Sequence, residues 1–123
     1  VHALAYPLGG HFHIPHGLSN ALVLPHVLRF NAETNPEPYI AIAPFAFPEL
    51  ADVGEQGRAL AFCDALQDLS KACGLQQSLR EMDIPEDILP KLADDAMNQT
   101  RLLVNNPREV TRDDALAIYR AAY

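Results

Sequence analysis

The apolar residues of this chain recur at helical spacing. The clearest run begins at position 59 and is closed by Gly74, which is typical of a helix C-terminus; its apolar positions are Ala59, Phe62, Cys63, Leu66, Leu69 and Cys73. Near the end of the chain, Thr111 followed by Asp114 predicts a capping box ahead of a helix with Ala115, Ile118, Tyr119 and Ala122 on its apolar face. No segment alternates long enough to predict a strand. The pattern predicts an all-α, bundle-like fold of about five helices.

The pattern of the first 30 residues predicts two helices. Residues 1 to about 8 predict a helix that stops at a turn formed by Gly9 and Gly10, and Pro15 suits the start of the next helix. Residues 17–30 are apolar on nearly all sides, which predicts a helix buried all round and kinked at Pro25.

The middle of the chain alternates connections and short helices. We expect a connection at residues 31–38, a short helix at 39–47 interrupted by Pro44, a surface loop at 48–57 and irregular structure at 75–83. Asp83 is predicted to cap a helix that contains Pro85 and runs to about Met97.

Size and charge exclude several classes of protein. The chain has 123 residues, 49% of them hydrophobic, which predicts one helical domain over residues 1–123 rather than a disordered tail. The formal net charge is −7, with only 9 Lys and Arg, so nucleic acid and anionic membrane surfaces are not expected partners. No uninterrupted apolar run reaches membrane-spanning length.

The two cysteines, Cys63 and Cys73, fit no common zinc spacing. Both fall on the apolar side of one predicted helix, so we expect two free, buried thiols and a reducing, cytoplasmic location.

All 5 histidines lie in the first quarter of the chain, which suggests a metal or proton-transfer site. His2 and His16 cannot share one helical face, because prolines and glycines interrupt the chain between them. Two helix ends that meet at a turn can instead aim one imidazole each at a common point, as in metal sites of helical domains.

The remaining candidates have simpler explanations. We expect His11 and His13 in the turn between the helices, where at most one of them contacts substrate or cofactor, and His26 as a hydrogen-bonded core residue. The adjacent pairs Asp94–Asp95 and Asp113–Asp114 point apart on a helix and are expected to be solvated or capping. Arg108 is expected to pack or form a salt bridge.

Several of these residues together resemble a known family. His2, Ala5, Gly9, Pro15-His16-Gly17 and Leu24-Pro25-His26 are similar to the second metal-binding signature of the iron-containing (group III) alcohol dehydrogenases, and the resemblance continues through Asn106-Pro107-Arg108, Thr111 and the closing helix. It therefore covers nearly all of the chain, and the paired His2 and Pro15-His16-Gly17 are its most specific part.

The resemblance implies that His2 and His16 bind a divalent metal, usually iron and sometimes zinc, together with an aspartate and a histidine from farther upstream. It also implies the C-terminal helical domain of a two-domain, dehydroquinate-synthase-like architecture, whose glycine-rich NAD- or NADP-binding domain is absent from this chain. We expect residues 1–31 to carry the metal-site segment. A small alcohol or aldehyde is the implied substrate, and a homodimer is an assembly that the family often forms.

Tyr6 departs from the common pattern of the family. Many relatives have a second histidine near the nicotinamide at this position, one helical turn after the first ligand. A tyrosine hydroxyl can hydrogen-bond or relay a proton, although it accepts protons poorly at neutral pH. We expect Tyr6 as a catalytic candidate and His13 as a cofactor contact.

The expected function is metal-dependent, NAD(P)-linked oxidation of an alcohol or reduction of an aldehyde by the intact protein, with this chain alone inactive. Two alternatives remain open. One is a non-catalytic helical domain that interacts with other proteins or binds metal weakly, and the other is a maleylacetate-type reductase or polyol dehydrogenase on the same scaffold.

Overall fold

The computed structural model describes residues 1–123, and all of its regular elements are helices. The α-helices are α1 (His2–Phe12), α2 (His16–Ala32), α3 (Glu37–Ala46), α4 (Glu55–Ala72), α5 (Leu89–Met97), α6 (Thr100–Leu103) and α7 (Arg112–Ala122). Short 3-10 helices occur at Pro48–Asp52, Arg80–Met82 and Glu86–Ile88. The all-α prediction is confirmed. None of the helices has the length and hydropathy needed to cross a lipid bilayer.

The main core forms around α1, which packs against α2 and α5, and α7 packs against the same two helices. It contains 19 buried residues, among them Leu8, Leu22, Leu92 and Tyr119. A second, smaller cluster of Ala43, Leu50 and Phe62 joins α3 to α4. The strongly apolar face of α1 is therefore enclosed by helices from both ends of the chain, which fixes the helix that carries His2.

The end of α1 differs from the prediction. Gly9 and Gly10 continue the helix to Phe12, and the chain turns at His13, whose φ of 56° lies in the left-handed region. The His13 N–H donates to the Gly9 carbonyl and closes the last turn. Glycine disfavours a helix by only about 1 kcal/mol relative to alanine, and burial of residues such as Leu4 and Leu8 outweighs this cost.

Helix α2 starts close to the predicted position, with Pro15 as its N-cap, and runs through Pro25 to Ala32. Asn31 and Ala32, expected in a connection, belong to this helix. The expectation of burial on all sides was wrong, because Leu24, His26 and Leu28 are only half-buried. His26 faces the groove between α2 and α7, whereas Leu28 packs against the smaller cluster around Phe62.

The middle of the chain contains more helix than predicted. The expected loop at 48–57 includes a 3-10 helix and the first residues of α4, and the four-residue helix α6 was not predicted at all. Asp83 does not cap a helix: it ends the 3-10 turn at Arg80–Met82 with a left-handed φ of 57°, and α5 begins only at Leu89. A short polar residue tolerates this backbone conformation, which a single sequence does not distinguish from N-capping.

The capping box at the start of α7 is confirmed. The Thr111 hydroxyl accepts a hydrogen bond from the Asp114 N–H at 3.2 Å, and the Asp114 carboxylate accepts one from the Thr111 N–H at 2.9 Å. The predicted apolar face of this helix is buried.

The cysteine prediction holds for one residue only. Both cysteines are free, but Cys63 is buried and Cys73 is exposed. Cys73 is the C-cap of α4, beside Gly74 with its φ of 78°, and the apolar stripe is already uncovered one turn earlier, where Leu69 is 51% exposed.

Candidate functional site

His2 and His16 lie side by side on the surface. Each is the first residue of its helix, and the short connection at residues 13–15 brings the start of α2 beside the first turns of α1. The centroids of the two imidazole rings are 5.2 Å apart. Both side chains are exposed. The two helix ends thus present paired imidazoles, as their spacing in the sequence predicts.

The separation of the rings is compatible with one shared metal ion. A metal–nitrogen distance of about 2.0–2.1 Å, with each ring centroid about 1.1 Å behind its nitrogen, separates two tetrahedrally arranged imidazoles by roughly 5.3 Å. No third His, Cys, Asp or Glu joins them to form a complete ligand set within this chain. A catalytic metal normally has at least three protein ligands, so the two histidines alone do not make a complete site.

Tyr6 completes this surface. It lies one helical turn after His2 on α1, and its ring centroid is 5.9 Å from that of His16. Tyr6 is 44% exposed. We call the three side chains the His2–Tyr6–His16 cluster.

Asn20 was missed in the sequence. It lies one turn after His16 on α2, and its amide nitrogen Nδ2 is 3.1 Å from His16 Nε2 and 3.0 Å from the His16 carbonyl oxygen. Its amide oxygen Oδ1 is buried without a hydrogen-bond partner. The helical spacing from His16 was the available signal, but asparagine is too common on helix surfaces for spacing alone to identify it.

The other histidines lie elsewhere. His13 is exposed at the end of α1, and His11 lies within that helix rather than in a turn, with Nε2 bonded to Asp95 Oδ2 on α5. His26 is half-buried in the groove between α2 and α7, without the hydrogen bond expected of it. Burial lowers the pKa of His26, and the positive charge of Arg29 lowers it further.

As expected, the two carboxylates of each adjacent acidic pair point in different directions. Asp94 pairs with Arg112 at 2.8 Å, whereas its neighbour Asp95 faces α1 and bonds to His11. In the second pair, Asp114 caps α7 and Asp113 is exposed. None of these carboxylates approaches the His2–Tyr6–His16 cluster closely enough to form a ligand group with it.

Arg108 has the packing and salt-bridge role that was expected. Its guanidinium donates to the Phe30 carbonyl at 2.6 Å and to Glu33 at 2.9 Å, and it lies 3.7 Å from the Phe30 ring centroid. Beside it, Asn106 and Asn31 exchange two amide hydrogen bonds of 2.8 and 3.0 Å. These contacts hold the connection between α6 and α7 against the end of α2.

One cleft borders the cluster. It has a volume of about 290 Å³, and His2 forms part of its wall with Val1, Ala3, Leu102, Asn105 and Asn106. A larger cavity of about 430 Å³ lies farther along α5 and α6 and includes none of the histidines. The cleft beside His2 contains the amide groups of Asn105 and Asn106.

Comparison with known proteins agrees with the resemblance. The family described as Fe-containing alcohol dehydrogenase, C-terminal, matches residues 1–123. The chain is 32% identical to lactaldehyde reductase of Escherichia coli K12 and 34% identical to 1,3-propanediol dehydrogenase of Klebsiella pneumoniae, in each case over 100% of this chain and 32% of the relative. It therefore spans about a third of the length of these relatives.

Solved structures give the same result. A 1,3-propanediol oxidoreductase, at 34% identity, superposes with a TM-score of 0.91 over 99% of this chain and 32% of that protein. An alcohol dehydrogenase from Oenococcus oeni, at 27% identity, also superposes with a TM-score of 0.91 over the same shares. Sequence and fold thus give the same relationship over the whole length of the chain. The chain belongs to the Fe-containing alcohol dehydrogenase family and corresponds to the C-terminal part of its members.

Proposed function

We propose that the native protein carrying this chain is a metal-dependent, NAD(P)-linked alcohol dehydrogenase or aldehyde reductase, in which His2 and His16 are metal ligands. The observation that carries the proposal is the 5.2 Å separation of these two imidazoles, in a chain of this family. The relatives named above act on alcohols and aldehydes, which supports a small alcohol or aldehyde as substrate.

The two histidines fit a borderline divalent ion such as Fe²⁺ or Zn²⁺. Neutral imidazole is a common ligand for both ions, and the exposed rings leave room for ligands from the rest of the protein. When bound, the metal supplies a Lewis acid to the substrate oxygen. NAD or NADP, bound by a separate domain, supplies or accepts the hydride.

Tyr6 is proposed to hold the substrate hydroxyl. Its phenol can accept a hydrogen bond from an alcohol and donate one to an aldehyde oxygen, and its exposure provides a route for the proton to solvent. His13 is proposed as a cofactor contact, because it is the exposed histidine between the two helices that makes no bond to another element. The cleft beside His2 gives the substrate chain a place to lie.

The organisation of the native protein is part of the proposal. Residues 1–123 would form one metal-binding domain, with the metal-site segment in residues 1–31 and the dinucleotide-binding domain elsewhere in the protein. A cytoplasmic homodimer is proposed, and the two free thiols agree with a reducing compartment.

The test is the metal content of the native full-length protein, measured by elemental analysis together with alcohol oxidation. The wild type is expected to contain about one iron or zinc per chain, and the double variant His2→Ala, His16→Ala is expected to lose both metal and activity. The double variant His11→Ala, His26→Ala changes the same residue type outside the cluster and should keep both.

Two results would contradict the proposal. A wild type without bound metal would make the histidines structural and favour the non-catalytic helical domain. Retention of metal and activity by the His2→Ala, His16→Ala variant would place the metal site elsewhere. Activity on maleylacetate or on a polyol, but not on simple alcohols, would instead favour the related reductases and polyol dehydrogenases.

A further inference from the structure

The hydrogen bonds of Asn20 determine which ring nitrogen of His16 carries the proton. The atom of Asn20 that lies 3.0 Å from the His16 carbonyl oxygen must be the nitrogen Nδ2, because a carbonyl oxygen can only accept. The same Nδ2 is 3.1 Å from His16 Nε2. An amide nitrogen cannot accept a hydrogen bond, so Nε2 must be the acceptor. In the neutral ring the proton therefore resides on Nδ1.

This arrangement leaves the side-chain oxygen of Asn20 without a hydrogen bond. Its oxygen Oδ1 is buried and has no hydrogen-bond partner, which is unfavourable for a polar atom. A rotation of the amide by about 180° would let Oδ1 accept a hydrogen bond from the imidazole. It would also place Oδ1 next to the His16 carbonyl oxygen, and two acceptor oxygens repel each other. The orientation of Asn20 is thus dictated by His16 and not by its own surroundings.

The consequence for a metal follows from the lone pair of Nε2. A neutral imidazole nitrogen has one lone pair, which is either shared with a hydrogen-bond donor or given to a metal. In water the proton of a free neutral histidine favours Nε2, which would block this nitrogen. The hydrogen bond from Asn20 instead favours the proton on Nδ1 of His16. Asn20 then occupies the lone pair of Nε2, so a metal must displace Asn20 in order to bind there.

We propose that Asn20 is a positioning residue for His16, which keeps Nε2 unprotonated in the metal-free protein and is displaced from Nε2 when the metal binds. The displacement of Asn20 from Nε2 rests on the proposed role of His16 as a metal ligand. The position of the proton on the His16 ring does not depend on that role. The two parts are therefore tested by separate measurements on the native full-length protein.

The first measurement uses the metal-free protein with nitrogen-15 in its histidine rings, at about pH 8.5, where histidine is ordinarily neutral. The chemical shift of Nε2 distinguishes a protonated from an unprotonated nitrogen, and the spectrum of His16→Gln identifies the His16 signals. In the wild type, Nε2 of His16 should be unprotonated. In Asn20→Ala the proton should move largely to Nε2, and in Asn20→Asp the carboxylate should hold it there.

Asn98→Ala is the matched control, because Asn98 is an exposed asparagine at the end of α5, outside the cluster. It should leave the His16 signals unchanged. A wild type with Nε2 protonated, or an Asn20→Ala variant with the wild-type shift, would overturn the proposal. The Asn20→Asp variant keeps the size of the side chain and so preserves the test if the alanine variant folds poorly.

The second measurement adds Zn²⁺ to the metal-free wild type and follows the side-chain amide signals of Asn20. They should shift together with the His16 ring nitrogens and reach their end point at one equivalent. Movement of the His16 signals without those of Asn20 would overturn the displacement. If neither set moves, His16 is not a ligand: the proposed metal site fails, and the displacement fails with it, while the proton position is judged by the first measurement alone.

Discussion

The phenol of Tyr119, on the last helix, donates a 2.7 Å hydrogen bond to the carbonyl oxygen of Leu4, on the first. Tyr119 is completely buried, and Leu4 lies between His2 and Tyr6 in the sequence. The bond therefore ties α7 to the part of α1 that carries two members of the His2–Tyr6–His16 cluster. It is a contact across nearly the whole chain.

Replacing Tyr119 by Phe should lower the free energy of unfolding by about 1–3 kcal/mol, because the buried Leu4 carbonyl loses a partner. Denaturant unfolding of this chain measures the change. Tyr123→Phe is the control, since Tyr123 is only half-buried and contacts Arg80 through its ring. An equal loss in both variants would contradict a specific role of the Tyr119 hydroxyl.

Because of the buried phenol of Tyr119, we expect the folded chain to lose stability at alkaline pH. Burial raises the pKa of its phenol above the ordinary value of about 10, and the negative charge of Asp95 raises it further. The unfolded chain therefore releases this proton above about pH 10 while the folded chain retains it, so the stabilisation is complete below that pH and is lost above it. Tyr119→Phe should show a shallower decline of stability between about pH 9.5 and 11. Identical slopes would argue against this explanation.

The two thiols should react at very different rates. Burial raises the pKa of the Cys63 thiol, and the side chain is enclosed, whereas Cys73 is exposed at the end of α4. With a disulfide reagent in excess, this chain should show one fast thiol and one that reacts only as the fold opens. Cys73→Ser should remove the fast phase, and Cys63→Ser should keep it. A fast phase in Cys73→Ser would mean that Cys63 is accessible.

The amide pair of Asn31 and Asn106 should be energetically coupled. Asn106→Ala leaves the buried amide of Asn31 without its partner and should cost about 1–3 kcal/mol of unfolding free energy. Adding Asn31→Ala should then cost less than it does alone, with a coupling of about 0.5–3 kcal/mol in a double-mutant cycle. Asn105→Ala, at an exposed neighbouring position, should change stability little. Additive effects would show that the pair does not act as a unit.

This chain alone should oxidise no alcohol. It supplies two imidazoles but no third ligating side chain beside them, so a metal would be held weakly. Incubation with Fe²⁺ or Zn²⁺, NAD and a simple alcohol should produce no NADH above the rate without protein. NADH formation that depends on His2 would contradict this expectation.

Local sequence signals predicted those parts of the structure that depend on neighbouring residues. The capping box of Thr111 and Asp114 is such a case, because both partners lie within one turn. The approach of His2 to His16 was also predicted, although the expected break at Gly9 and Gly10 does not occur and the two helices are joined at residues 13–15 instead.

The errors came from positions where distant contacts decide. Gly9 and Gly10 are helical because α2 and α5 enclose the preceding turns of α1, and no local signal reports that enclosure. Cys73 fits the apolar repeat of α4, but no other element covers the last turns of this helix, where Leu69 is exposed as well. Asn20 went unnoticed because its importance lies in the orientation of one amide group toward His16, which appears only in three dimensions.

The unbroken helix from His2 to Phe12 limits how this protein can evolve. Each residue of an α-helix advances the direction of its side chains by about 100°, so one inserted or deleted residue between Tyr6 and Phe12 would swing His2 and Tyr6 away from His16. A change of length in the connection at residues 33–36 lies outside this interval and leaves the histidines in register. Natural variants of this region should therefore differ by substitution within α1 and by length only beyond α2.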